Sequence, residues 1–264
     1  MQPLWDPVNL LEAVKAVYTL VFLGVFSLQD YRSREISDRL VYLFTGGSAV
    51  FLAATLMLHG FDPVYMVFSA VVPLTFTLLY YTGLMGEGDV YVVASLFMLY
   101  PSPPRAGFLP RSLLPPLIPI VLYSTVSVVL ISLLYASYTV IVHRNLLKGM
   151  PLKYRLIYPF IARPMRVADF IETRFYYPLT LIEAGDGETV TVYRLHYSVE
   201  EDPGVYRELF RKLVEAGTIS ADTVIWVSYG VPYIIPLTIG VAAFLIIGDA
   251  PVLALIKHIA GLTS

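Results

Sequence analysis

The 264-residue chain contains no cysteine, which excludes disulfide bonds, thiolate metal sites and a cysteine nucleophile. Charge is also scarce, because only 14% of the residues are Asp, Glu, Lys or Arg, against roughly a quarter in a soluble domain. The net charge is −2 and no basic block occurs, so the sequence lacks the basic patch expected of a nucleic-acid-binding protein. The four histidines lie far apart in sequence, and no metal site or other cofactor is predicted.

Hydrophobic residues, by contrast, make up 57% of the chain, and the mean hydropathy is +0.69. A bilayer crossing needs about 20 apolar residues. Five apolar segments approach or exceed that length, 10–28, 40–58, 64–81, 117–142 and 231–250, and a shorter one, the fourth along the chain, lies at 90–100. Glu12 and Lys15 lie in the opening turn of the first segment, and the fourth is long enough only if it begins near Glu87. We therefore predict an all-α protein of the lipid bilayer with about six transmembrane helices.

A water-facing region interrupts this pattern between the fifth and sixth segments. Residues 143–228 hold 11 of the 18 bases and 11 of the 20 acids. Strand-like runs at 174–184 and 188–199 flank a Gly-Asp-Gly hairpin signal, a capped helix follows at 202–217, and a third strand follows at 222–229. The stretch 154–170 suits a membrane surface. The predicted organisation is transmembrane helices 1–5 in 8–142, a linker and small cytoplasmic α+β domain in 143–228, and helix 6 in 229–258.

Positive charge in short loops predicts the topology. Three arginines mark the first loop as cytoplasmic: Arg32, Arg34 and Arg39. Four bases mark the exit of the fifth helix in the same way: Arg144, Lys148, Lys153 and Arg155. Two arginines in an outer loop, Arg105 and Arg111, oppose this assignment and are outnumbered. The chain is therefore expected to be multi-pass, with the connection between helices 3 and 4 on the cytoplasmic side.

Two aspartates then fall at the same membrane boundary. Asp30 ends the first apolar segment in SLQDYRSREISDRL, and Asp89 opens the fourth in TGLMGEGDVY. Neighbouring carboxylates share a proton, so one can activate water while the other protonates the substrate. Gly83, Gly86 and Gly88 are expected to free the backbone and leave room for a substrate strand. A helix cap, a solvated ion pair and a proton relay are the other interpretations of these carboxylates.

The two motifs together resemble the GxGD membrane aspartyl proteases of the type IV prepilin peptidase family, most closely the archaeal preflagellin and prepilin peptidases. The matching positions are Asp30, Arg32, Ile36 and Asp38 in the first motif, and Gly86, Gly88 and Asp89 in the second. A third likeness is GVPYIIPLTIG at 230–240. Two positions depart from the family pattern: Asp38 replaces a common asparagine, and Tyr91 replaces a lysine of many bacterial members. The cysteine-rich zinc module of bacterial members is excluded.

This resemblance implies a peptidase of the cell membrane whose active site faces the cytoplasm. It implies catalysis by Asp30 and Asp89 within a loop formed by Gly86, Glu87 and Gly88, without metal or nucleotide. The implied substrates are archaellin or type IV pilin-like precursors, cut after a short basic leader. Three acids near the pair are expected to attract that leader: Glu35, Asp38 and Glu87.

Three other interpretations remain open at this point. A presenilin-like or signal-peptide-peptidase-like intramembrane protease also uses GxGD, but its Pro-Ala-Leu motif does not occur here. A proton-coupled transporter using the same carboxylates predicts an inverted repeat, and none is visible. A non-catalytic membrane scaffold would tolerate the loss of either aspartate.

Overall fold

The computed structural model describes residues 6–33, 35–185, 188–197, 201–229 and 233–261. Backbone contacts divide the chain into two units, Met1–Val128 with Pro232–Ser264, and Val129–Val231. The predicted hairpin turn at 186–187, the start of the GVPY stretch at 230–232 and Arg34 lie outside the described residues.

The first unit consists of helices. They are α1 (Pro7–Ser33), α2 (Asp38–His59), α3 (Pro63–Tyr81), α4 (Glu87–Leu99), the first half of α5 (Leu117–Val142), α10 (Ile234–Ile247) and α11 (Ala250–Ile259). Local signals set several ends. Gly60 has a φ of 78° after α2, and the Asp62 carboxylate accepts a hydrogen bond from the Tyr65 backbone N–H at the start of α3.

Four helices are long and apolar enough to cross a bilayer: α1, α2, α3 and α5. The pair α10 and α11 adds a fifth crossing if the two form one span, but they are bent by 91°. This bend corrects the single sixth helix predicted from the sequence, because Gly248 takes a φ of 66° and ends α10. Helix α4 begins at Glu87 but has only 13 residues, about 20 Å at 1.5 Å per residue. The described chain therefore has the character of a multi-pass membrane protein with four or five candidate spans.

One face of α1 turns inward along its whole length. Its buried residues recur every three or four positions: Asn9, Glu12, Lys15, Thr19, Leu23, Phe26 and Asp30. Helix α4 packs against α2 and α3, and α1 packs against α10. Hydroxyl pairs join these helices, with Thr45 and Ser95 2.9 Å apart, and Ser27 and Thr238 2.8 Å apart. This packing brings the end of α1 and the start of α4 into one helical unit.

A close approach of α10 to α5 depends on Gly240. A Cβ atom at this position would collide with the Ser124 hydroxyl and the Ile120 carbonyl oxygen. The carbonyl is backbone and has little freedom to move, so we expect Gly240→Ala to cost about 1–3 kcal/mol of unfolding free energy. Denaturant unfolding in detergent measures this cost. Gly46→Ala in α2 is the matched control because nothing lies within 4 Å of its Cβ position. Equal stabilities of the two variants would contradict the prediction.

The second unit combines helices with short strands. After the second half of α5 come α6 (Arg144–Lys148), α7 (Leu152–Ile161), β1 (Arg163–Arg166), α8 (Val167–Glu172), β2 (Tyr177–Pro178), β3 (Thr180–Gly185), β4 (Glu188–Tyr193), α9 (Pro203–Glu215) and β5 (Val224–Ser228). Strands β3 and β4 pair antiparallel, with Thr180 opposite Tyr193. Strand β5 lies between β1 and β2 in a separate three-stranded sheet, antiparallel to both.

The sequence predicts the β3–β4 pair, α9 and β5, but not β1 or α8. Strand β1 and most of α8 lie in the stretch 154–170 assigned to the membrane surface, and Val167 and Phe170 of α8 are fully buried. The segment Arg163–Arg166 lacks apolar alternation, and it becomes a strand because it pairs with β5. Only α7, earlier in that stretch, presents a stripe of exposed apolar side chains. A small sheet-containing unit is therefore present, with more of this stretch in its core than the sequence suggests.

Candidate active site

A cavity of 280 Å³ lies in the first unit, where the end of α1, the start of α2 and the start of α4 meet. Its lining includes every residue that the sequence nominates as catalytic, as part of the active-site loop or as a leader contact. The lining residues are Asp30, Glu35, Ile36, Asp38, Val41, Tyr42, Gly86, Glu87, Gly88, Asp89 and Tyr91. Residues from two separate sequence motifs thus share one cavity.

Helix periodicity places the two aspartates in this cavity. Asp30 is the last member of the buried stripe of α1 and is 8% exposed. Asp89 lies in the first turn of α4 and is half-buried, three residues before the buried Val92 and therefore on the same face of the helix. The helix dipole favours an anion at the start of α4 and disfavours one at the end of α1. The two carboxylates therefore occupy electrostatically different positions.

The glycines of the loop before α4 contribute in two different ways. Gly83 has a φ of 71°, a conformation that favours glycine. Gly86 has an extended backbone and Gly88 lies within α4, so neither needs that freedom, contrary to the expectation from sequence. A Cβ on Gly86 would instead lie 3.6 Å from the Asp89 carboxylate, and one on Gly88 would lie 3.6 Å from Ile36. The missing side chain of Gly86 leaves space beside Asp89, and that of Gly88 leaves space beside Ile36.

The cavity is acidic. Five carboxylates line it, and none of the described lining residues is a lysine, arginine or histidine. Glu35, Asp38 and Glu87 are exposed at its mouth, while Ile36 and Val41 supply apolar surface. A concave site lined by one sign of charge raises the local concentration of oppositely charged ligands. The arrangement therefore favours a cationic ligand. Across the described part of the chain, no three His, Asp or Glu side chains form a metal-ligand group.

Three tyrosines at or near this site are not among the residues nominated from the sequence. Tyr42 and Tyr91 line the cavity in edge-to-face contact, with ring centroids 6.1 Å apart, and Tyr91 lies within electrostatic range of Glu87. Tyr42 could have been found from helical spacing in the sequence, because it lies one turn after Asp38. The third, Tyr233, precedes α10, packs on Phe76 at 5.4 Å and lies within electrostatic range of Asp89. Its only sequence signal is its position in the GVPY stretch.

Comparison with known families matches both parts of the chain. Residues 17–142 match the model of the Type IV leader peptidase family, and this range contains the entire described lining of the cavity. Residues 154–250 match the model described as the archaeal peptidase A24 C-terminus, type II. A search of curated proteins found no match. The two family matches follow each other along the chain in the order of N-terminal helices and C-terminal region.

Proposed function

Because the chain belongs to the type IV leader peptidase family, we propose that it is a membrane aspartyl endopeptidase that removes the leaders of archaellin and pilin-like precursors. Membership makes it a prepilin-type peptidase, for which pilin-like precursors are the substrates. The aspartyl mechanism, the archaellin substrates and the cytoplasmic side of cleavage are our additions. The observation that supports the mechanism best is the presence of Asp30 and Asp89 in one acidic cavity.

The proposed reaction uses one aspartate as base and the other as acid. Asp89, favoured as an anion at the start of α4, takes a proton from a water molecule while the oxygen of that water attacks the scissile carbonyl carbon. Asp30, buried at the end of α1, starts protonated and donates its proton to the carbonyl oxygen. Collapse of the tetrahedral intermediate re-forms a C=O bond and breaks the C–N bond: the hydroxyl proton returns to Asp30, and the leaving amine takes the proton held by Asp89. Neither a metal nor a nucleotide takes part in this scheme.

The proposed orientation follows from positive charge. Arg32 and Arg39 flank the cavity residues 35–38 in sequence, and arginines in a short loop favour its placement on the cytoplasmic side of the cell membrane. We further propose six crossings, with α4 and the α10–α11 pair as the fourth and sixth. A helix of about 20 Å is shorter than the roughly 30 Å hydrocarbon layer. We place the end of α4 at the outer surface, so that its start, with Asp89, lies below the cytoplasmic surface, at the depth of a peptide bond that precedes a hydrophobic segment.

Cleavage of a purified precursor in vesicles tests this function. The native chain is expected to make a single cut between the basic leader and the hydrophobic segment, identified by the masses of the two products. The transporter interpretation predicts no cut and a proton flux instead. Absence of cleavage of both archaellin and pilin-like precursors by well-folded protein contradicts the proposal.

The exposed acids at the mouth are expected to act on binding. We expect the double substitution Glu35→Gln and Asp38→Asn to raise KM for a precursor with a basic leader about three- to tenfold, because each exposed charge pair contributes up to about 1 kcal/mol. The kcat is expected to change less than KM, since neither residue belongs to the reacting pair. A precursor whose leader bases are replaced by glutamine is the matched control. An equal rise of KM for both precursors would rule out charge recognition by these acids.

A further inference from the structure

Helix α7 of the second unit exposes a stripe of large apolar side chains to its surroundings. Leu152, Leu156 and Phe160 are spaced four residues apart, and their exposures are 68%, 63% and 46%. Residues at this spacing lie on one face of a helix. A continuous apolar face on a water-facing unit indicates a surface that another apolar phase covers.

Two bases border this stripe. At 100° per residue, Lys153 projects on one side of the Leu152–Phe160 line and Arg155 on the other, and both are exposed. Their charged ends can therefore contact the same surface that covers the apolar stripe. An apolar stripe with a base on each edge is typical of a helix that lies in the headgroup region of a bilayer.

The opposite face of α7 fixes its rotation. Tyr158 is fully buried, and its hydroxyl lies 2.7 Å from the Leu179 carbonyl oxygen and 3.0 Å from that of Arg194. The Tyr158 ring also packs edge-on against Trp226, with centroids 5.7 Å apart. These contacts all belong to the second unit, and they prevent the helix from turning its apolar stripe inward.

The position of α7 along the chain supplies the second argument. Helix α5 is long and apolar enough to cross a bilayer and ends at Val142. Four bases follow within a short stretch of chain: Arg144, Lys148, Lys153 and Arg155, all exposed. A cluster of bases immediately after a transmembrane helix is typical of binding to anionic lipid headgroups.

We propose that α7 is an interfacial anchor that binds the anionic lipid surface on the side of the membrane where α5 exits. Leu152, Leu156 and Phe160 enter the boundary between headgroups and acyl chains, while Lys153 and Arg155 contact the phosphates. The anchor holds the second unit at the membrane surface next to the end of α5. The proposal concerns a surface outside the cavity and does not depend on peptidase activity.

The absence of cysteine from the chain makes a site-specific test direct. A spin label is attached to Leu156→Cys on the stripe and, in a second variant, to Leu209→Cys on α9. Leu209 is an exposed leucine of the same unit and serves as the matched control. Each protein is placed in vesicles of phosphatidylcholine alone or of phosphatidylcholine mixed equally with phosphatidylglycerol. Collision rates with oxygen, which partitions into lipid, and with a water-soluble nickel chelate are then measured.

We expect the label at position 156 to collide more with oxygen than with nickel, and the label at position 209 to show the reverse. The preference at position 156 is expected to be stronger in the vesicles that contain phosphatidylglycerol. Adding Lys153→Gln and Arg155→Gln, which leaves Arg144 and Lys148 in place, is expected to weaken this dependence on anionic lipid.

Two results would overturn the proposal. One is a label at position 156 that meets nickel as readily as the label at position 209 in both kinds of vesicle. The other is a label at position 156 shielded from both oxygen and nickel, because this pattern means that a protein, either a partner or a second copy, covers the stripe instead of lipid.

Discussion

Asp30→Asn and Asp89→Asn are each expected to reduce precursor cleavage by about 10²–10⁴-fold, the range for loss of a positioned acid or base. Each amide keeps the size of the carboxyl group but neither accepts a proton from water nor donates one as an acid. Single-turnover cleavage in vesicles measures the loss without interference from product release. Asp222→Asn, the same chemical change at an exposed carboxylate of the second unit, is the matched control and is expected to cleave at the native rate.

The double variant sharpens this prediction. Residues that act as one catalytic unit are non-additive, so Asp30→Asn combined with Asp89→Asn is expected to be little slower than either single variant. Unfolding midpoints of all three proteins must stay close to the native value, which separates loss of chemistry from loss of structure. Cleavage near the native rate by either folded single variant would refute the two-aspartate mechanism.

The position of each motif on its helix was predictable because it depends on local patterns, whereas the convergence of the two motifs depends on how the helices pack. Asp30 continues the helical spacing of buried residues in α1. Asp89 lies in the first turn of α4, which begins at Glu87, the start expected from the apolar segment that follows. Positive charge in the neighbouring loops then predicts that both ends lie on one side of the membrane. Short-range signals of this kind also predict the β3–β4 pair and the capped helix α9, whose Asp202 carboxylate accepts a hydrogen bond from the Gly204 backbone N–H.

Other features depend on partners that are distant in sequence and therefore have little or no local signal. Strand β1 exists because β5, far along the chain, pairs with it. Tyr233 lies near Asp89 only because α10 packs against α1 in the same unit as α4. The bend between α10 and α11 begins at Gly248, a local signal, but the buried Asp249 beside it also accepts hydrogen bonds of 2.7 Å from the distant backbone N–H groups of Leu113 and Leu114. Tertiary contact, rather than sequence pattern, determines the first two features and contributes to the third.

The burial of the pair Glu12 and Lys15 likewise could not be predicted from the sequence. In the sequence the two residues mark only the opening turn of α1, but the structure buries both to 1% exposure. Lys15 Nζ lies 2.9 Å from Glu12 Oε1, 3.5 Å from Thr55 Oγ1 and 5.3 Å from the centre of the Tyr100 ring. Glu12 Oε2 is buried and has no hydrogen-bond partner within the described part of the chain. The charge of Glu12 is therefore compensated mainly by Lys15.

Lys15→Met is accordingly expected to lower the unfolding free energy by about 3–5 kcal/mol, because it leaves a buried carboxylate without its counter-charge. Reversible denaturant unfolding in detergent measures the loss. Lys257→Met, the same change at an exposed lysine of α11, is the matched control and is expected to stay within about 0.5 kcal/mol of native.

The companion variant Glu12→Gln tests the cause of this loss. Combined with Lys15→Met, it removes the uncompensated charge and is expected to restore most of the stability, since replacing a whole buried pair is often nearly neutral. Equal instability of the single and double variants would mean that packing of the lysine stem, rather than charge, causes the loss. Neither residue lines the cavity, so well below its unfolding transition Lys15→Met is expected to cleave precursors at the native rate. Stability and catalysis thus separate along α1: a buried ion pair stabilises one end of the helix, and the other end carries a carboxylate of the cavity.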